Sequence, residues 1–156
     1  MRWMLILAGF VATVAPAALR PGSVTYAQAP GTLLRYGVVA EQSEVRYRVR
    51  EQLVNVRFPN DEVGTTRAIE GGITLDPQGR VIPNESRFTI DLRTLRSAEP
   101  KRDNYIRRNT LETDRYPTIA FVPTEARGLR VPLPATGTAS FELIGDLTVR
   151  DVTHRT

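Results

Sequence analysis

Residues 87–121 read RFTIDLRTLRSAEPKRDNYIRRNTLETDRYPTIAF, and this segment decides the fold of the chain. Apolar and polar residues alternate at both of its ends, which is the pattern of β-strands that bury one face. Phe88 and Ile90 share one face of the first strand, and Ile119 and Phe121 share one face of the second. Because the charged residues between the strands have helical spacing, the segment predicts a strand, a helical insertion and a return strand at the rim of a β-sheet or barrel.

The helical insertion is predicted to contain one helix of about three turns and a second short turn. Ser97 is the expected N-cap, and Pro100 falls in the first turn, where its missing N–H is tolerated. Arg102 and Asp103 are adjacent, so their side chains point about 100° apart and are expected to reach different partners that pin the helix to the rim. The alternative is that Arg102 binds a ligand headgroup, such as a quinone carbonyl or a phosphate.

Another strand is predicted over Ser43–Gln52, where Val45, Tyr47 and Val49 alternate strictly with three arginines. A period of two places the apolar side chains on one face of the strand and the guanidinium groups on the other. We expect the arginine face to meet water and the apolar face to meet a core or a cavity.

The remaining strands are predicted from shorter runs between turn residues. Gly71-Gly72 predicts a bulge or a sharp bend that helps a sheet to curve, and the Asp-Pro-Gln-Gly sequence at residues 76–79 predicts a tight turn. Val54–Thr66 is expected to be a loop, because proline and glycine interrupt it. Strands are expected over residues 33–39, 67–76, 85–92, 118–126 and 136–144, and a further element is expected to begin after Gly145.

The N-terminus has the features of a secretory signal peptide. Arg2 provides a positive charge, Met4–Leu19 is an uncharged apolar run, and a region of small residues ends near Ala27. We expect cleavage after Ala27, which divides the chain into a signal peptide, residues 1–27, and one domain, residues 28–156. The alternative is an uncleaved hydrophobic N-terminal helix.

The composition of the chain narrows the classes of function. It has 156 residues, 41% of them hydrophobic, which suits one domain with a moderate core. Its formal charge of +4 falls to +2 once Arg2 and Arg20 leave with the signal peptide, because 19 basic and 17 acidic side chains remain. The arginines are spread along the chain, so no nucleic-acid surface is expected. The absence of cysteine excludes disulfides, thiol catalysis and lipoprotein anchoring.

The sequence carries no pattern typical of a catalytic or metal site. Its single histidine, His154, is expected to be an exposed turn residue, and no Gly-x-Ser-x-Gly nucleophile motif occurs. One histidine without cysteine cannot build a typical zinc site. The chain is therefore predicted not to be an enzyme and to need no cofactor.

Several of these motifs together resemble the YceI-like family, whose members are periplasmic or secreted proteins that bind polyisoprenoid lipids. The family carries a strand ending in Ile-Asp, an R-D-x-x-[IL]-R helix, Y-P-x-I-x-F and G-D-L-T-[IV], followed by Val-Thr. The matching residues here are Ile90-Asp91, Arg102-Asp103, Ile106-Arg107, Tyr116-Pro117, Ile119, Phe121, Gly145–Val149 and Val152-Thr153.

The resemblance implies an all-β fold, an antiparallel lipocalin-like β-barrel with a helical insertion at one rim. In the family at least one further strand follows the Val-Thr motif. Thr156 is therefore expected to be a truncation point, which leaves the barrel incomplete at its C-terminus.

The resemblance also implies a ligand site inside the barrel. Alternation alone leaves open whether the interior is filled by side chains or hollow, and the family favours a hollow interior that holds a polyisoprenoid or a similar long apolar lipid. The residues expected to contact the lipid face inward on the strands or lie on the helical insertion; they are Val45, Tyr47, Val49, Phe88, Ile90, Tyr105, Leu111, Ile119, Phe121, Phe141 and Leu143.

Two other functions are compatible with a barrel of this kind. One is an enzyme or accessory factor of isoprenoid-quinone metabolism or of a stress response, but no acid–base pair is found for it. The other, an oligonucleotide-binding barrel, is disfavoured because Tyr47 faces away from Arg46 and Arg48. The expected partner is thus a polyisoprenoid or an isoprenoid quinone, with a homodimer as an open alternative. No nucleic acid and no stable membrane insertion are expected, and the expected location is the periplasm or the cell exterior.

We expect N-terminal sequencing of the exported protein to begin at Gln28, because the small residues before it suit signal peptidase. Recovery of the protein from a membrane fraction with Met1 intact would contradict this prediction.

Overall fold

The computed structural model describes residues 31–51, 60–133 and 137–156, and the side chains of residues 49–51, 60 and 61 lie outside this description. The signal peptide predicted for residues 1–27 also lies outside it. Within these ranges the strands are β1 (Leu34–Gly37), β2 (Val45–Glu51), β3 (Asn60–Thr66), β4 (Ile69–Leu75), β5 (Arg87–Asp91), β6 (Thr118–Arg127), β7 (Glu142–Val149) and β8 (Val152–Arg155). They form a six-stranded antiparallel sheet, in the order β1-β4-β5-β6-β7-β8, and a separate antiparallel hairpin of β2 and β3.

The two strands predicted at the ends of residues 87–121 are confirmed as β5 and β6, the central pair of the larger sheet. Phe88 lies opposite Phe121 and Ile90 lies opposite Ile119 across the two strands. None of the four is more than 8% exposed. Because a slip of one residue would turn this apolar set to the other face, its burial fixes the register of β5 against β6.

The hairpin shows that the prediction of a loop over Val54–Thr66 is wrong for Asn60–Thr66. This segment is β3 and pairs with β2 along its whole length. It contains polar residues and Gly64 and lacks strict apolar alternation, so its strand conformation follows from pairing with β2 rather than from a local pattern. Residues 52–59 lie outside the description.

The bend predicted at Gly71-Gly72 is confirmed in β4. Gly71 has a φ of +112°, and a Cβ atom at this position would lie 2.0 Å from the carbonyl oxygen of Arg87 on β5. Only glycine combines this backbone conformation with so close an approach of the neighbouring strand.

β7 lies further along the chain than the strand predicted over Thr136–Ile144. Residues 137–141 are not in a strand, and residues 134–136 lie outside the description. Gly145, which was expected to end the strand, is buried within β7, where a Cβ atom would lie 2.2 Å from the carbonyl oxygen of Val122. His154 is exposed as expected, but it lies in β8 and not on a turn.

The helical insertion begins with a short α-helix, α1 (Pro100–Tyr105), which continues as a π-helical segment, Ile106–Thr110. Pro100 occupies the first turn, as predicted. The prediction of Ser97 as the N-cap is wrong, because Glu99 is the N-cap and its carboxylate accepts a hydrogen bond of 3.0 Å from the N–H of Lys101.

Arg102 and Asp103 both hold the insertion in place, but their partners are only partly different, because Arg102 also donates to the hydroxyl oxygen of Ser97 at 3.3 Å. Asp103 is 6% exposed and accepts hydrogen bonds from the N–H of Ser97 at 3.0 and 3.1 Å and from its hydroxyl at 2.6 Å. Arg102 donates to Glu62 on β3 at 2.9 Å. The hairpin is therefore joined to the larger sheet through the insertion.

A backbone bridge strengthens this junction. Thr65 on β3 donates its N–H to the carbonyl oxygen of Arg96 at 2.7 Å and accepts from the N–H of Arg96 at 3.0 Å. Beside it, the hydroxyls of Thr66 and Thr94 lie 2.6 Å apart. Two independent sets of contacts thus attach β3 to the segment that follows β5.

The described chain is all-β apart from this insertion and short 3-10 turns, and both of its sheets are antiparallel, as predicted. The two sheets are not joined into a closed barrel within the described residues, so the closed barrel stays a prediction. No helix in the described ranges has the length and apolar character needed to cross a membrane.

We expect Asp103→Ala to lower the free energy of unfolding by about 1–3 kcal/mol, because the half-buried N–H and hydroxyl of Ser97 lose their acceptor. Asp114→Ala is the matched control, since it removes an exposed carboxylate from the same insertion, and it should change stability by no more than about 0.5 kcal/mol. Urea unfolding measures both changes, and equal effects would contradict the role assigned to Asp103.

Asp76 should make the stability depend on pH. Burial alone would raise the pKa of this carboxyl, but hydrogen bonds from Arg80 and Gln78 outweigh it and hold the pKa below its usual value. The stabilisation is fully present above the unfolded-state pKa of about 4, and it is lost as the pH falls from there through the folded-state pKa. Asp76→Asn keeps a side-chain acceptor but removes the charge, so the variant should have a lower Tm than the wild type at neutral pH. This difference in Tm should shrink on acidification, because the wild-type carboxyl then also becomes neutral. A difference independent of pH would contradict this assignment.

Candidate functional site

The apolar face of the larger sheet is completely buried at its centre. The rings of Phe88 and Phe121 have centroids 6.2 Å apart and an interplanar angle of 31°. Phe121 is 1% exposed and Ile90 is 2% exposed. Aromatic pairs at this separation add favourable ring contacts to the burial of their area. This part of the face is a packed core.

The same face becomes more accessible toward one side of the sheet. Phe121 lies opposite Leu147 on β7, and Leu147 lies opposite His154 on β8. Exposure rises along this row, from the buried Phe121 through the half-buried Leu147 to the exposed β8. Leu143, Leu147 and Val149 all pack against the core cluster while remaining half-buried. The apolar face thus extends from the core to a surface strip on β7.

The β2–β3 hairpin contributes two of the predicted residues. Val45 and Tyr47 are half-buried and pack against the core cluster. The ring of Tyr47 covers Gly64 on β3, where a Cβ atom would lie 1.9 Å from a ring carbon. Arg46 and Arg48 are exposed, so the predicted division of β2 into an apolar face and an arginine face is confirmed for the side chains described.

The helical insertion covers the core from one end of the strands. Ile106 is 6% exposed and Leu111 is 7% exposed, and both belong to the core cluster. Tyr105, by contrast, is 43% exposed. The structure therefore places Leu111 with the other expected ligand contacts and places Tyr105 on the outside of the insertion.

The remaining expected contacts are distributed differently. Phe88, Ile90, Ile119 and Phe121 belong to the buried core cluster, and Leu143 packs against it. Phe141 is half-buried and directly precedes β7. The side chain of Val49 lies outside the description.

Two residues of the accessible strip, Leu147 and Val149, were missing from the sequence-based set. They alternate with polar residues in Gly145–Val149, so the sequence contains the alternating pattern of a half-buried strand. Because glycine normally interrupts a strand, the alternation does not predict one continuous strand from Leu143 through Gly145. The burial of Gly145 against β6 shows why the strand continues through it.

Asp91, the acidic residue of the Ile-Asp motif, has a structural role. Arg93 donates to its carboxylate from its backbone N–H at 2.9 Å and from its guanidinium at 2.9 and 2.8 Å. These hydrogen bonds and the nearby charge hold the pKa of Asp91 below its usual value. The motif thus caps the 3-10 turn at which the insertion begins.

The Tyr-Pro motif closes the other end of the insertion. The carbonyl oxygen of Pro117 accepts a hydrogen bond of 2.9 Å from the N–H of Leu92. The guanidinium groups of Arg115 and Arg150 lie 5.0 and 5.9 Å from the centre of the Tyr116 ring. Because Arg150 lies in the β7–β8 turn, this cluster attaches the end of the insertion to β7 and β8.

Arg150 makes further contacts with the insertion. It donates to the carbonyl oxygen of Thr110 at 3.0 Å and forms an ion pair with Glu112. Arg150 and Asp151, the two turn residues, have φ values of 49° and 62°. Positive φ at both central residues is typical of a type I′ hairpin turn, which directs Arg150 toward the insertion.

The accessible part of the sheet face, the strip on β7, is apolar. No cluster of three or more His, Cys, Asp or Glu side chains that could hold a metal ion occurs in the described ranges. The apolar strip on β7 can contribute dispersion and hydrophobic contact to a ligand.

Comparison with known families gives an independent classification. The sequence profile of the YceI-like domain matches residues 36–156. A search of curated proteins finds no match. The profile spans most of the chain, including both sheets and the helical insertion. The chain therefore belongs to the YceI-like family.

Proposed function

We propose that this protein is an exported carrier that holds a polyisoprenoid, or an isoprenoid quinone, against the apolar face of the larger sheet. The observation that carries the proposal is the gradient of exposure on this face, from the buried Phe121 to the half-buried Leu143, Leu147 and Val149. A long apolar chain laid along β7 would extend the core and remove this strip from water.

The energetics of such binding require no polar contact. Each buried methylene group contributes roughly 0.8 kcal/mol, so a few isoprene units supply most of the affinity of a specific lipid complex. The aliphatic side chains of β7 and the aromatic ring of Tyr47 provide surfaces of this kind. We therefore expect affinity to rise with prenyl length.

Membership of the family supports the same function. YceI-like proteins are known as polyisoprenoid-binding proteins, are not known as enzymes and are generally periplasmic. The signal peptide predicted for residues 1–27 agrees with export. The identity of the lipid, its headgroup and a closed barrel around it are parts of what we propose.

We expect native mass spectrometry of the purified protein to show a bound lipid, and solvent extraction to release a prenyl compound. Leu147→Gln should reduce the lipid-bound fraction at least about tenfold, because it places an amide in the apolar strip. Thr148→Gln is the matched control, since adjacent residues of a strand point to opposite faces. Leu147 is half-buried, so the variant should still fold, and circular dichroism checks this.

Absence of lipid from the wild-type protein, even after incubation with a prenyl quinone, would overturn the proposal. Equal losses of bound lipid in both variants, with both still folded, would contradict binding along the Leu147 face.

A further inference from the structure

The positive charge of the described chain is concentrated in the helical insertion. Residues 92–117 contain seven basic and four acidic side chains, a formal net charge of +3. The rest of the described chain contains 11 basic and 13 acidic side chains, a net charge of −2. The insertion is therefore a cationic element on an otherwise slightly acidic domain.

Several cations of the insertion are used within the fold. Arg93 pairs with Asp91, and Arg102 pairs with Glu62. Arg107 donates to the carbonyl oxygen of Leu95 at 3.1 Å and to Asn104 at 2.7 Å. The contacts of Arg93 and Arg102 join the insertion to β5 and to β3, and those of Arg107 lie within the insertion.

Lys101 and Arg108 differ from these residues. Both side chains are exposed, and neither forms an ion pair within the described part of the chain. Tyr105, which is 43% exposed, lies between them at spacings of four and three residues. Lys101 and Tyr105 therefore share one side of α1, and Arg108 is exposed in the π-helical segment that follows. We call Lys101, Tyr105 and Arg108 the cationic face.

The opposite side of the same helix is fixed on the protein. Asp103 is 6% exposed and holds Ser97, and Ile106 is 6% exposed within the core cluster. The cationic face is thus held rigidly and points away from the core. A rigid exposed face with a tyrosine between two cations fits a membrane interface, where tyrosine rings lie at headgroup level and basic residues meet anionic lipid.

We propose that the cationic face docks the protein on an anionic phospholipid surface. The inference deepens the proposed lipid binding, on which it rests, because it names the surface from which the lipid is taken or to which it is given. The insertion covers one end of the apolar core through Ile106 and Leu111, so docking would bring that end of the core to the bilayer.

The test is binding of the full exported chain to unilamellar vesicles by co-sedimentation. We expect binding to vesicles of phosphatidylglycerol and phosphatidylcholine, little binding to pure phosphatidylcholine, and weaker binding at high salt. The double variant Lys101→Gln/Arg108→Gln should weaken binding about ten- to thirtyfold, since each cation near an anionic surface contributes favourably. Tyr105→Ala, which leaves the charge unchanged, should also weaken it.

The matched control is Arg87→Gln/Arg130→Gln, which removes two exposed cations outside the insertion and leaves the same net charge. Equal effects of the two double variants would overturn the proposal, because net charge alone would then explain binding. Wild-type protein that ignores anionic vesicles would also overturn it. Equally tight binding of soluble polyglutamate, with the same dependence on Lys101 and Arg108, would assign the face to an acidic polypeptide instead.

The vesicle result is separable from the test of the proposed function. Protein that carries extractable prenyl lipid but does not bind anionic vesicles would refute docking and leave lipid binding intact. Protein that binds vesicles through the cationic face but carries no prenyl lipid would refute the proposed function and leave docking intact.

Discussion

Burial of the apolar face shared by β5 and β6 is the constraint on which the other elements depend. Phe88 and Phe121 meet across the central strand pair, and their burial fixes the register between these strands. β4 and β7 pair with the outer sides of this unit. Its ends set the two ends of the helical insertion, which leaves the sheet at Asp91 and returns at Thr118. An error in this register would therefore displace the insertion and the accessible strip together.

Alternation was sufficient to predict β5, β6 and the two faces of β2, because each buries one face and exposes the other. It could not reveal β3, because the strand conformation of Asn60–Thr66 depends on pairing with β2 rather than on alternating apolar residues of its own. A hydroxyl residue shortly before Pro100 favours Ser97 as the N-cap, whereas in the structure this hydroxyl donates to the carboxylate of Asp103. Ten of the eleven expected ligand contacts have described side chains. Tyr105 differs most from the expectation, because it lies on the outside of the insertion, and its direction depends on how the helix is anchored.

The motifs of the family divide into two roles in this structure. Asp91, Arg102, Asp103 and Tyr116 hold the insertion to the sheets through hydrogen bonds, an ion pair and cation–π contacts. The apolar motif residues Ile90, Ile119 and Phe121 form the core beneath it. The polar residues of these motifs therefore serve to anchor the insertion. The lipid contact proposed above falls on aliphatic positions of β7, of which Leu147 and Val149 lie within the Gly145–Val149 motif.

The contact between Tyr47 and Gly64 links the identities of two positions that are 17 residues apart in the sequence. A Cβ atom at position 64 would lie 1.9 Å from the Tyr47 ring, so no larger residue fits there while the ring keeps its place. A chain with alanine or valine at position 64 would need a smaller residue at position 47 or a ring turned away from β3. Among related sequences, a bulky residue at one position should therefore accompany a small residue at the other. The shape of the hairpin's inner surface would then vary between relatives through this pair, while the backbone of the hairpin stays the same.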